Sequence, residues 1–278
     1  MLKIFRKKIG IIGCGNMGAA IASRIKDKYC LFIFDKDVAK LAGLTGVNVL
    51  NSAAEVADKA DVVILAVKPQ DFEAALIEIK DKTAGKLIIS IAAGITTKYI
   101  EDIIGAIRVI RIMPNIGAIA GESLTYVCKG HFAGEGDLVF ASGLFRCIGS
   151  TFIIPEGMMD AATAVGGSGP GFWGYLFDKQ PKEKWEEYKR DYFIPEFILA
   201  AKNVGFDDEK AITAASSVAG SAMSIAEALH ITPDELAKRV ASKGGTTEAG
   251  LEVLKNGGSL TQAVQAACTR AHELARGA

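Results

Sequence analysis

The first half of the chain alternates short apolar runs with longer amphipathic ones. Lys8–Gly13 (KIGIIG) is short, apolar and β-branched, the pattern of a strand buried on both faces. Residues 17–25 then read as a helix whose small alanines face a sheet. The same alternation predicts strands over 31–35, 61–67, 86–92 and 107–113, and helices over 53–60 and 72–80. Lys68-Pro69 stops the clearest of these strands, DVVILAV. Further strands are expected over 122–128 and 150–154, with a helix over 134–146 between them. Strands that alternate with helices imply a parallel sheet covered on both faces.

The pattern changes near Pro155. Beyond it the β-branched runs nearly vanish and alanine rises, most of all over 211–228, as in helices packed closely through small side chains. The fold class expected is therefore α/β. Residues 1–155 form a doubly wound, mainly parallel Rossmann-type domain, and an all-α domain spans 156–278. A length of 278 residues suits two domains.

Composition narrows the function classes. With 50% apolar and 23% charged residues the chain is globular, not disordered or coiled-coil. Lys plus Arg and Asp plus Glu both total 32, so no electrostatic footprint for nucleic acid is visible. The one local basic group, Lys3, Arg6, Lys7 and Lys8, reads as a solvated lead-in to the first strand. The five cysteines are odd in number and lack metal-knuckle spacing. They read as reduced thiols in a cytoplasmic protein with no metal. No signal peptide and no membrane span is expected, since no run of about 18 apolar residues exists.

The chemistry starts at Gly13-Cys14-Gly15-Asn16-Met17-Gly18, a G-x-G-x-x-G motif that follows a strand and opens a helix. Gly13 permits the tight turn, Gly15 lets the backbone approach a pyrophosphate, and Gly18 lets the helix pack on the strand. The helix start, with Asn16 and Met17, offers free N–H groups to the phosphates. A plain tight turn is the alternative. Asp35, ending the second strand, suits the ribose hydroxyls of NAD and would repel the extra phosphate of NADP. Lys36 beside it could offset that repulsion, and Asp35 could instead be a simple turn residue. The reading favours NADH without excluding NADPH. Ala66, Val67, Lys68 and Pro69, the 93–95 turn, and Met113-Pro114-Asn115 fall at strand ends, where they should line the nicotinamide half of the cleft.

With these residues in place, the chain resembles the pyrroline-5-carboxylate reductase family. The motifs run in that family's order: GCGNMG (13–18), AVKPQ (66–70), SIAAGI (90–95), RIMPN (111–115), MDAATAVGGSGPG (159–171) and ASKGGTTEAGL (241–251). The resemblance implies reduction of a cyclic imine, 1-pyrroline-5-carboxylate, to proline with NADH or NADPH. It also implies a helical dimerisation domain, a homodimer or a larger assembly of dimers, and a small-molecule substrate held across the dimer near the GGTT loop. Ser242 and the Gly245/Thr246 backbone would bind the substrate carboxylate, and the Thr247 hydroxyl would face the ring nitrogen. Physics is compatible: a Gly-rich loop running into a helix forms an anion-binding nest. Thr246 and Thr247 are equally ordinary helix N-caps.

Three departures stand out. Lys243 replaces the family's usual proline, and Gly166 stands where the family often has serine. An insertion near 178–193 (DKQPKEKWEEYKRDYF) carries five acids and five bases, with Trp185, Tyr188 and Tyr192 at i, i+3 and i+7. That stripe should bury against its own subunit or a dimer mate, or serve as a lid. Two other functions fit the fingerprint: a relative acting on another cyclic imine, and a non-catalytic nucleotide sensor. The 3-hydroxyacid dehydrogenases share the N-terminal motif but need a lysine as acid/base, and residues 169–176 hold none.

Overall fold

The computed structural model describes residues 6–276, so Lys3 of the basic lead-in lies outside the described residues. The chain divides into two compact units, Met1–Ile112 with Val127–Glu156, and Met113–Tyr126 with Gly157–Ala278.

The strands are β1 (Lys8–Ile12), β2 (Cys30–Phe34), β3 (Asn48–Val49), β4 (Val62–Leu65), β5 (Leu87–Ser90), β6 (Arg108–Met113), β7 (Ser123–Lys129) and β8 (Gly149–Ile153). They form one sheet in the order β3-β2-β1-β4-β5-β6-β7-β8. From β3 through β6 every pairing is parallel, with Ile9 opposite Leu31 on one side and Val62 on the other. The helices are α1 (Asn16–Ile25), α2 (Ala53–Lys59), α3 (Pro69–Ile79), α4 (Thr97–Ile104) and α5 (Glu135–Phe145). Val63, Leu65, Ile88 and Val109 pack with Phe72, Leu76 and Ile100 in a dry core. Every residue of β4 and β5 is buried, which explains why these strands read as continuous apolar runs. The strand order reverses direction between β1 and β4, the switch point at which such sheets bind ligands.

Two elements escaped the apolar pattern. β3 is a two-residue edge strand, too short for any periodicity. α4 is a helix of eight residues whose start is fixed by Thr96, its hydroxyl accepting from the Tyr99 N–H. The basic lead-in is structural where described: the Lys7 ammonium lies 3.9 Å from the centre of the Phe140 ring, and the Lys8 N–H donates to Asp61.

The second unit is helical: α6 (Met159–Ala162), α7 (Gly169–Phe177), α8 (Trp185–Tyr188), α9 (Ile194–Asn203), α10 (Asp208–Ala228), α11 (Pro233–Val240), α12 (Thr246–Lys255) and α13 (Leu260–Arg276). Met113–Tyr126, which the alternation placed with the sheet domain, clusters here instead. The reason is contact: the Asn115 amide donates to the Gly166 carbonyl, and the Tyr126 ring packs edge-on against Phe206. A wide helical turn at Thr163–Gly167 separates α6 from α7. It brings Gly166 so close to Tyr126 that a β-carbon would sit 2.6 Å from the ring. This accounts for glycine where the resemblance led one to expect serine.

The insertion's aromatic stripe packs on its own unit, with Trp185 and Tyr188 half-buried and Tyr192 exposed. Trp185 stands edge-on to Trp173, Tyr188 packs against Phe177, and Tyr192 stacks on Tyr188. Among the described residues no single helix is long and apolar enough to cross a membrane.

Candidate active site

The sheet unit brings the fingerprint and the β4 loop together because β1 pairs with β4. Gly13 adopts φ +98, and a β-carbon on it would lie 2.6 Å from the Ala66 carbonyl. One on Gly18 would lie 2.2 Å from the Gly13 oxygen. Both glycines are therefore required by the protein itself. Gly15 differs, since a β-carbon there meets nothing within 4 Å. The space over Gly15 is open, and no side chain caps the start of α1. An uncapped helix start with an open glycine cradle fits the pyrophosphate of a nicotinamide dinucleotide. Asn16 and Met17 open that helix. Ala66 and Val67 lie half-buried against the turn, and Lys68 and Pro69 form the exposed start of α3.

Asp35 is 7% exposed, and its carboxylate is engaged on both oxygens. It accepts from the Cys14 N–H at 2.6 Å and from the Asp37 N–H at 2.8 Å, with Lys40 at 3.4 Å. Burial pulls its pKa up, but the two N–H donors and the Lys40 charge outweigh this and hold it below the usual carboxylate value. Asp35 thus stays ionised and also braces the glycine turn. Lys36 is turned to Asp71, 2.6 Å away, and does not reach Asp35; the ammonium beside Asp35 is that of Lys40.

Asn115 is placed in the helical unit with its side chain committed to the fold. Its amide donates to the Gly166 carbonyl at 2.9 Å, its oxygen accepts from the Gly117 N–H, and it is 4% exposed. Its side chain holds the backbone around Gly166.

Ser242, Gly245, Thr246 and Thr247 form the loop that enters α12. The N-cap is Gly245, with no side-chain cap, so Thr246 and Thr247 lie inside the helix and neither caps it. The first N–H groups of α12 are thereby left without a side-chain partner. The loop is held from two sides: the Gly244 N–H donates to Glu248 at 2.6 Å, and Arg270 on α13 donates to the Gly244 oxygen at 2.8 Å. Ser242 and Lys243 are exposed on it.

Thr247 is buried and donates to the Ser168 hydroxyl at 3.0 Å, while Thr246 lies 3.0 Å from the same hydroxyl. Ser168 and Arg270 are the residues the sequence reading missed. Ser168 lies in the run MDAATAVGGSGPG, but only the fold sets it against the threonines. Arg270 gave no signal, being one cation on an amphipathic helix.

A cavity of about 840 Å³ lies elsewhere, between α4 and Gly130–Phe132. Four of its charged residues are in ion pairs, Lys98 with Asp102, Lys129 with Glu135, and Glu156 with Arg111. Among the described residues no cluster could hold a metal ion.

Comparison with known proteins gives the family. Residues 8–94 match the family model "NADP oxidoreductase coenzyme F420-dependent", and residues 191–276 match "Pyrroline-5-carboxylate reductase dimerisation". The chain is 34% identical to the pyrroline-5-carboxylate reductase of Methanosarcina acetivorans over 97% of this chain and 98% of that one. It is 32% identical to that of Arabidopsis thaliana over 97% and 96%. In structure it is similar to the NADP-bound Plasmodium falciparum pyrroline carboxylate reductase, with TM-score 0.63, 26% identity, and 98% and 99% coverage. The Coxiella burnetii enzyme gives TM-score 0.64 at 27% identity, with 97% and 98% coverage. The chain belongs to the pyrroline-5-carboxylate reductase family.

Proposed function

We propose that the protein reduces 1-pyrroline-5-carboxylate to L-proline, the last step of proline biosynthesis. The observation that carries this reading is the uncapped α12 start, with Ser242 on its loop and Thr247 buried against Ser168. Free N–H groups at a helix start favour a carboxylate without an arginine. Ser242 and the Gly245/Thr246 backbone would hold that carboxylate, and Thr247 the ring nitrogen. The reduced nicotinamide, when bound, supplies the hydride. The chain's own residues bind, orient and exclude water, so no acid/base dyad is needed.

Gly13, Gly15, Asn16, Met17 and Gly18 would cradle the pyrophosphate, with Ala66, Val67, Lys68 and Pro69 beside them. NADH is the preferred donor in this reading. Its support is the ionised Asp35 at the end of β2 and the engagement of Lys36 by Asp71. The working form is a homodimer or an assembly of dimers in the cytoplasm. Support comes from the dimerisation-family match over 191–276 and from exposed Leu199, Ile212 and Leu274 within it. The test is oxidation of NADH and of NADPH with pyrroline-5-carboxylate. Substrate-dependent loss of either, faster for NADH, is expected, and no turnover with either would refute the reading.

A further inference from the structure

Three hydroxyls meet where α7 begins and α12 begins. Ser168 is fully buried, Thr247 is 4% exposed, and Thr246 is half-buried. A hydroxyl carries one proton to donate and two lone pairs that accept. Thr247 donates its only proton to the Ser168 oxygen at 3.0 Å. Ser168, being buried, must place its own proton, and the hydroxyl within reach is Thr246 at 3.0 Å. With Ser168 donating to Thr246, a sense this contact allows, the chain of donors runs Thr247 to Ser168 to Thr246. It leaves Thr247 with lone pairs only, and leaves the proton of Thr246 free at the loop to which the substrate carboxylate is assigned above.

Resting on the function proposed above, we infer that Ser168 is a positioning residue that sets the polarity of this site. It makes Thr247 an acceptor toward the ring nitrogen and Thr246 a donor toward the carboxylate. The site then selects the protonated imine, whose N–H donates to the Thr247 oxygen. On reduction the imine carbon gains hydride and the C=N π pair becomes the nitrogen lone pair. The N–H proton stays where it was, so Thr247 gives up no proton. The product amine keeps the same hydrogen bond. Gly171 permits this closeness: a β-carbon there would lie 2.6 Å from the Thr247 methyl.

The test uses three five-membered ring acids as ligands of the full-length protein, with dissociation constants read by calorimetry. L-Proline presents a ring N–H donor, oxolane-2-carboxylate presents only a ring-oxygen acceptor, and cyclopentanecarboxylate presents neither. Proline is expected to bind about tenfold tighter than the oxolane acid, because lone pairs would face lone pairs in the latter. The oxolane acid should bind no better than the cyclopentane acid. In Ser168→Ala the Thr247 proton is released to the ligand, and the gap between proline and the oxolane acid should shrink to about twofold or less. An oxolane acid that binds wild-type protein as tightly as proline would overturn the inference, as would an unchanged gap in a folded Ser168→Ala. The wild-type series stands even where that variant fails to fold. Absence of wild-type turnover of pyrroline-5-carboxylate would instead sink the parent reading.

Discussion

Replacing Gly15 by alanine separates the two roles that glycines play in the nucleotide turn. Gly15 has φ −72 and ψ −168, a conformation alanine adopts freely. Its β-carbon would meet no protein atom within 4 Å. Alanine is a poorer N-cap than glycine by roughly 0.5–1 kcal/mol. It also restricts the unfolded chain, worth about 0.4–1 kcal/mol in the opposite direction. The two nearly cancel, so the melting temperature should move by about 2 °C at most. Nucleotide binding should not survive so well, because the added methyl occupies the space a pyrophosphate needs. Quenching and enhancement of nicotinamide fluorescence, titrated beside a thermal melt, reads both effects. The expected result is an unchanged melt with a dissociation constant for NADH raised at least tenfold. Unchanged NADH affinity in a folded Gly15→Ala would refute the placement of the pyrophosphate. Gly13→Ala is the contrasting case. Left-handed backbone and a contact of 2.6 Å with the Ala66 carbonyl should lower stability by about 2–4 kcal/mol as well as weaken NADH.

Other expectations follow from single groups. Asp35→Asn should raise kcat/KM for NADPH relative to NADH by about tenfold, since a charge facing the extra phosphate is removed. Because the folded pKa of Asp35 is depressed, its stabilisation is present above about pH 4 and is lost as pH falls through the folded value. Unfolding of wild type and Asp35→Asn should accordingly converge in acid, and a gap that persists or grows there would contradict the assignment. Glu156→Ala leaves Arg111, 3% exposed, without its carboxylate and strips two bonds from Thr97. A loss of about 2–3 kcal/mol in denaturant unfolding is expected. Burial, with Glu156 adding to it and Arg111 opposing it, pushes the Cys128 thiol up to about 12. It should therefore resist alkylation at pH 8 until the chain unfolds, as mass mapping can read. Trp185→Ala should lower the melting temperature while leaving KM for pyrroline-5-carboxylate within twofold, because its ring packs on Trp173 and Phe177. A KM raised severalfold would instead make the insertion a lid.

Much of the sheet unit was legible because its strands are buried on both faces. The run 61–67 announced β4, although β4 ends at Leu65 and Ala66 and Val67 wall the turn at Gly13. β3 and α4 carried too few residues for a period to emerge. The glycine fingerprint spoke through spacing, and its three glycines do three different jobs in the structure. Asp35 was recognised by position, but its bracing of Cys14 was invisible, since that contact joins residues far apart in sequence. Lys36 was adjacent in sequence yet turned to Asp71, and Lys40, a few residues on, took its place. Thr246 and Thr247 looked like caps because the sequence does not say where a helix begins; Gly245 takes that position. Ser168 became meaningful only when packing of α7 on α12 set its hydroxyl between two others.

The central claim is hydride transfer to the carbon of a cyclic imine. The most direct measurement incubates the protein with pyrroline-5-carboxylate and nicotinamide carrying deuterium at C4, and analyses the product by mass spectrometry and NMR. L-Proline with one deuterium on the ring carbon that was doubly bonded to nitrogen is expected. Nicotinamide oxidised without labelled proline, or substrate recovered unchanged from a folded protein that binds both ligands, would contradict it.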